Sequence, residues 1–349
     1  MKTKILVINP KRIDFTMIKT AAEEIKKGNL VAFPTETVYG LGADALNEKA
    51  VAKIFQAKGR PFNDPLIAHI ADIKDLYRLS KQVPPVALKL AKVFWPGPLT
   101  LVLKKTELVS DIVTAGLDTI AIRIPADNIA LSLIREAKTP IVAPSANLFG
   151  RTSPTTARHV TDDLNGKIEM IIDGGKTKVG VESTVLDITA KPAQVLRAGG
   201  ISVEKLKEII GQVKISKELE KGFRSPGMLK SHYSPQAKLI LVEEKVKSQV
   251  EAVRQLASEY KAKGFKVGIM AKGENQNKYN EFEVKVIGKG TELETCAANL
   301  FAILRSFDKE GYEIIVTEGL EERGLGLAIM ERLRKAAVTK IIFDRNERV

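Results

Sequence analysis

A chain of 349 residues exceeds what one typical hydrophobic core encloses, so two domains are expected, and 44% hydrophobic with 28% charged residues excludes a disordered chain. A single cysteine, Cys296, excludes an intramolecular disulfide and any multi-cysteine metal site; no apolar run is long enough to span a bilayer, and residues 1–5 lack the apolar core of a signal peptide, so a cytoplasmic enzyme is expected. The net charge of +13 is compatible with anionic ligands such as nucleotide, pyrophosphate or RNA, and also with solubility alone.

Lys4–Ile8 is a strand candidate. Thr16–Lys27 repeats apolar residues at helical spacing (Ile18, Ala21, Ala22, Ile25) and closes on Gly28 as a C-cap. Leu30–Phe33 is strand-like and is broken by the loop 34–43, which crowds hydroxyls, the carboxylate Glu36 and two glycines. Such a loop suits ligand recognition, and it also fits a plain hydrophilic turn. A helical pattern over Asn47–Ala57 then stops at Lys58-Gly59-Arg60-Pro61-Phe62-Asn63-Asp64-Pro65, whose prolines hold the backbone extended before the apolar run Leu66–Ile70. Two cations on a stiffened loop can grip phosphate, Arg60 as a fork and Lys58 as a point charge; a solvated basic turn is the plainer alternative. The loop reads as surface-exposed, so replacing either cation is expected to cost turnover and little stability.

Further strands are expected at Leu99–Leu103, Thr119–Ile124, Pro140–Ala143, Met170–Ile172, Thr184–Asp187 and Gln194–Arg197, with helices at Pro85–Phe94 and Asn128–Ala137. Trp95-Pro96-Gly97-Pro98 is a rigid turn in which Trp95 packs. Arg123 lies in an otherwise apolar strand, where an unpaired cation is costly, so it must meet either a protein carboxylate or a substrate carboxylate. Ser145 and Asn147 follow a buried-looking strand, where α/β sheets place ligands. Without Gly-x-Ser-x-Gly, and with three histidines in all, Ser145 suits hydrogen bonding better than nucleophilic attack.

Polarity rises from Gly211 to Lys221, and the linker 223–235 carries Arg, Met, His and Tyr where bland linkers carry Gly, Ser or Pro. A second α/β alternation follows: strands at Lys238–Val242, Lys266–Met270, Phe282–Ile287, Glu313–Thr317 and Lys340–Phe343, and helices at Lys245–Lys263, Leu293–Phe307 and Leu325–Ala337. Continuous apolar strands between helices predict a small parallel sheet covered on both faces. Gly324-Leu325-Gly326 opens the last helix and reads as a tight turn more readily than as an anion site.

Taken together, residues 34–41, Lys58-Gly59-Arg60-Pro61, Pro65-Leu66 with His69, Trp95-Pro96-Gly97-Pro98-Leu99-Thr100, Arg123-Ile124-Pro125, Pro144-Ser145-Ala146-Asn147 and Ser183-Thr184-Val185 closely resemble the YrdC/Sua5 family of L-threonylcarbamoyladenylate synthases. Ser225-Pro226-Gly227-Met228 and His232-Tyr233-Ser234-Pro235, with the second alternation, resemble its longer Sua5 type. The resemblance implies a YrdC-like twisted α/β domain over 1–211, a linker over 212–236 contributing to the active site, and a smaller Rossmann-like parallel α/β domain over 237–349. It implies a nucleotidyltransferase that joins L-threonine, bicarbonate (or CO2) and ATP into threonylcarbamoyl-AMP, releasing pyrophosphate. The product feeds N6-threonylcarbamoyladenosine formation at position 37 of tRNA through a downstream transferase machinery, and tRNA itself is a candidate partner. Carried over by position, Thr37, His69, Arg123, Ser183 and the main chain at Ala143 bind threonine. Arg60, Asn63, Thr119, Ser145, Ser153 and Arg197 hold ATP, with His232 and Tyr233 from the linker. Lys58, Arg60, Ser145 and Asn147 serve the reacting phosphate and carbamate. Mg2+ accompanies ATP, and no protein metal site is expected.

Two other classes are weighed against this one. A non-catalytic module for double-stranded RNA or tRNA fits the basic balance, but only 5% of residues are aromatic, few for base stacking. Carbamoyl transfer of the hydrogenase-maturation type pairs a similar domain with zinc-finger-like segments, which one cysteine does not support.

Overall fold

The computed structural model describes residues 2–216, 233–243 and 248–341. The chain divides into two compact units, the first comprising 1–149 and 153–229 and the second 150–152 and 230–349.

The first unit is built on an eleven-stranded mixed sheet. Its strands are β1 (Lys4–Val7), β2 (Val31–Phe33), β3 (Gly40–Asp44), β4 (Ile67–His69), β5 (Leu99–Lys104), β6 (Thr119–Arg123), β7 (Ile141–Val142), β8 (Met170–Asp173), β9 (Thr184–Asp187), β10 (Ala193–Arg197) and β11 (Val213–Ile215). They lie in the order β1-β8-β2-β3-β7-β4-β6-β5-β9-β10-β11. Strand β11 pairs in parallel with β10, so this sheet runs past residue 211. The helices Phe15–Lys26 and Asn128–Ala137 bury Ile18, Ala21, Ala22, Ile25, Ile129, Leu133 and Ile134 against β1, β2, β7 and β8, forming the main core. Each begins on an aspartate, Asp14 or Asp127, whose carboxylate accepts two otherwise unpaired backbone N–H groups.

The expected loop over 34–43 is shorter than the reading from sequence. Gly40–Asp44 is a strand paired antiparallel with β2, and only 34–39 remains irregular. The glycines that suggested a break serve close packing instead. A Cβ on Gly42 would lie 2.7 Å from the Phe33 ring and 2.9 Å from Ile141. The short helices Lys74–Leu79, Asp111–Thr114, Ala157–Leu164 and Val203–Ile210, and strand β11, are not predicted from the sequence, because three to eight residues are too few for a period to emerge.

The second unit has the expected parallel sheet: β12 (Lys238–Val242), β13 (Val267–Lys272), β14 (Glu283–Gly288), β15 (Ile314–Glu318) and β16 (Thr339–Ile341), in the order β14-β13-β15-β12-β16. Every pairing in it is parallel. The helix Gln249–Ala262 packs Val253 and Ala257 on its strands, and Leu293–Lys309 buries Cys296, Leu300, Phe301 and Leu304.

Candidate active site

Strand register places the polar residues of interest on one face of the large sheet. Because side chains alternate, His69 shares a face with Ile67, and Thr119 and Arg123 share one with Ala121. The pairing Ile67↔Ala121 and His69↔Arg123 makes these the same face. Thr100 and Arg197 both pair with Val185 in the neighbouring ladders. Ile67, Val102, Ala121, Val185 and Leu196 form a small buried apolar cluster of their own. The cations and hydroxyls therefore flank an apolar floor, a combination suited to a ligand with both charged and flat apolar parts.

On this face Arg123 is 3% exposed, and burial lowers its pKa while Glu36 opposes that shift. Its Nη2 donates to Thr37 Oγ1 at 3.2 Å, and its Nη1 lies 3.5 Å from Glu36 Oε1. The anion that the buried cation requires is thus, within the chain, Glu36. The pairing is loose: Arg123 Nε and Nη1 and Glu36 Oε1 are buried with no hydrogen bond. His69 Nδ1 is 3.1 Å from the Ile67 carbonyl, and burial, reinforced by Arg123, pushes its pKa well below 6.5, so its imidazole is neutral at pH 7. Ser183 Oγ is 2.7 Å from Thr100 Oγ1, and Arg197 donates to the Ser183 carbonyl at 3.0 Å and to its hydroxyl at 3.2 Å.

A second group surrounds Asp64. Lys58 is the last residue of helix Glu48–Lys58, and Gly59, at φ 64°, turns the chain sharply away. Lys58 Nζ donates to the carbonyls of Ser145 and Asn147, each at 2.5 Å. Arg60 donates to the carbonyls of Asp64 at 3.2 Å and Pro65 at 2.9 Å, and its Nη2 sits 2.9 Å from the Asp64 carboxylate. Burial raises the Asp64 pKa, and Arg60, Lys58 and Arg197 together pull it back. Arg197 also acts on Arg123, so one field spans both groups.

The expectation of an exposed basic loop is corrected here. Lys58 is helical, and Lys58 and Arg60 are only 2% and 6% exposed. The prolines and the Phe55–Phe62 ring contact fold the segment back, so that both cations turn inward on main-chain carbonyls. Asn63, by contrast, is exposed, while Ser145 is half-buried and Asn147 buried. The Ala143 N–H is engaged by the Ile67 carbonyl, and Ser153 Oγ donates to Glu182 Oε1 at 2.5 Å.

A protein-family model described as "Telomere recombination" and named for Sua5, YciO and YrdC matches residues 23–199. A second, described as "Threonylcarbamoyl-AMP synthase, C-terminal domain", matches residues 201–338. The chain belongs to the Sua5/YrdC family. This Sua5-type chain is 49% identical to the threonylcarbamoyl-AMP synthase of Pyrococcus abyssi over 97% of its own length and 99% of that protein. It is 48% identical to the Bacillus subtilis enzyme of the same name, over 93% of its own length and 94% of the relative. It also resembles the crystal structure of P. abyssi Sua5 complexed with L-threonine, at TM-score 0.91 and 48% identity, over 97% of this chain and 100% of that one.

Two residues that the resemblance assigned to the linker complete the account. His232 lies outside the described residues. Tyr233 belongs to the second unit of this Sua5-type chain, where it is 1% exposed, stacks on Phe301 at 5.6 Å and lies under the Arg332 guanidinium at 5.4 Å. The sequence assigned no role to Glu36, Asp64, Thr100 and Glu182, the buried polar residues that hold the assigned ones. Each stood inside a quoted motif or beside one, but a carboxylate in a polar loop carries no sign of burial. Among the described residues no three His, Cys, Asp or Glu side chains converge as a metal site, and no helix is long and apolar enough to cross a membrane.

Proposed function

We propose that the chain is a threonylcarbamoyl-AMP synthase, a nucleotidyltransferase that condenses L-threonine, bicarbonate or CO2, and ATP into threonylcarbamoyl-AMP and pyrophosphate. The observation that carries this reading is the near-complete match, in sequence and in fold, to P. abyssi Sua5, solved with L-threonine bound. The site geometry supports it. The threonine amine forms a carbamate with CO2 and releases a proton; a carbamate oxygen then attacks the α-phosphorus, and pyrophosphate leaves. That chemistry asks for positioning and charge neutralisation rather than a nucleophile of the protein.

In this reading Arg123, with two unused donors, takes the threonine carboxylate, and Thr37, neutral His69, Ser183 and the main chain at Ala143 surround the amino acid. Arg60, Asn63, Thr119, Ser145, Ser153 and Arg197 hold the nucleotide, and His232 and Tyr233 are carried over as nucleotide contacts. Lys58, Arg60, Ser145 and Asn147 neutralise charge at the reacting phosphate and carbamate. ATP brings Mg2+ with it, bound mainly by phosphate and water oxygens. The adenylate passes to a tRNA threonylcarbamoyl-transferase machinery for modification at position 37, a cytoplasmic task. The functional divisions are a catalytic domain over 1–211, a linker over 212–236 that contributes to the active site, and a C-terminal domain over 237–349, with strand β11 of the linker range paired into the sheet of the first unit.

Incubation with ATP, threonine and bicarbonate tests the reading. Pyrophosphate release that requires both threonine and bicarbonate supports it; tRNA binding without turnover favours the RNA-binding alternative.

A further inference from the structure

Glu36 has no role in the assignments above, yet it stands against the residue that takes the threonine carboxylate. We propose that Glu36 binds the α-amino group of L-threonine, so that it and Arg123 grip the two charged ends of the amino acid. The inference rests on the synthase reading and deepens it.

The unused hydrogen-bonding capacity is the starting point. Glu36 is 6% exposed; its Oε2 accepts the Ala126 N–H at 3.0 Å, which anchors the side chain, while Oε1 accepts no hydrogen bond. Arg123 spends Nη2 on Thr37 and leaves Nε and Nη1 unused. Leaving buried charged atoms without hydrogen bonds is costly. Were the two groups built only to satisfy each other, their N–H···O contact would close to about 2.7–2.9 Å. It stays at 3.5 Å.

An α-amino acid carries its opposite charges on one carbon, and like the Arg123–Glu36 pair it is neutral overall. Set head to tail against the pair, it replaces one long contact by charge-assisted hydrogen bonds at both ends and adds no net charge to a buried site. Of the other nearby carboxylates, Glu182 accepts the Ser153 hydroxyl and Asp127 the N–H groups of Ile129 and Ala130; Asp64 also accepts no hydrogen bond, but it closes to 2.9 Å on Arg60, the short contact that Glu36 and Arg123 do not make. Glu36 therefore selects α-amino acids over the corresponding hydroxy acids and holds the nitrogen that receives CO2.

The test is calorimetric titration of wild type and Glu36→Gln with L-threonine and with 2,3-dihydroxybutanoate, which has a hydroxyl in place of the amine. Glutamine retains an oxygen for Ala126 N–H and presents a donor where the amine needs an acceptor. The expected result is an affinity for threonine weakened about tenfold to a hundredfold, with dihydroxybutanoate unchanged. Equal weakening of both ligands means that Glu36 acts only through Arg123 and overturns the proposal, as does unchanged threonine affinity. Unfolding midpoint and ATP affinity check the fold of the variant; should Gln impair them, Glu36→Asp is titrated against the same criteria. Wild-type protein that neither binds threonine nor releases pyrophosphate in its presence would instead overturn the synthase reading.

Discussion

Replacing Lys58 by methionine removes one buried charge and keeps the unbranched stem as far as the ε position. In the native chain Nζ donates to the Ser145 and Asn147 carbonyls at 2.5 Å each, from a residue 2% exposed. A hydrogen bond to a charged group contributes about 1.5–3 kcal/mol, so the two together set an upper bound of about 3–6 kcal/mol. Relief from burying an ammonium offsets part of that, leaving a net loss of about 2–4 kcal/mol. At about 2–4 °C per kcal/mol for a unit of this size, the first unit should melt about 5–15 °C lower. The same charge neutralises phosphate in the proposed mechanism, so turnover of the folded variant should fall about a hundredfold or more. Thermal unfolding followed by circular dichroism, and pyrophosphate release below the new midpoint, read the two effects separately. An unchanged midpoint refutes the carbonyl clamp, and a lowered midpoint with full turnover refutes the phosphate role.

Arg123→Ala should raise the threonine KM far more than the ATP KM; a parallel rise in both contradicts the carboxylate assignment. Burial and Arg123 hold the folded pKa of His69 well below 6.5, so as pH falls through about 6.5 the unfolded chain takes up a proton there that the folded chain refuses. Stability from this source is complete above that pH and declines below it; urea midpoints from about pH 8 to about pH 5 should show the decline, and His69→Gln should flatten it. If His69→Gln declines toward acid as steeply as wild type, the residue is not buried neutral. Cutting the chain before Ser225 should leave a folded first unit with impaired synthesis, measured by calorimetry and pyrophosphate release. Full activity of that fragment would reduce the rest of the chain to a tether.

Much of the architecture could be read along the chain because it rests on local periodicity. Pro85–Phe94 and Asn128–Ala137 start and stop where proline, cap and apolar spacing say they should. Strands β9 and β12 likewise occupy the ranges their apolar runs predict. The glycines at 40 and 42 misled, since a glycine that breaks a strand and one that lets Phe33 pack against it look alike in one dimension.

The residue types of the site belonged to the sequence: a cation inside an apolar strand had to meet an anion, and hydroxyls at strand ends had to face something polar. Which anion, and on which side, belonged to the fold. Only the ladder that sets His69 beside Arg123, and the turn that brings Glu36 to the same guanidinium, joined segments 54 and 87 residues apart in the chain. Only the inward turn after Gly59 made Lys58 and Arg60 buried clamps rather than a solvated basic loop. Local propensity acts over a turn or two of chain, whereas burial and pairing depend on what lies across the sheet, and a single strand of sequence does not record its neighbours.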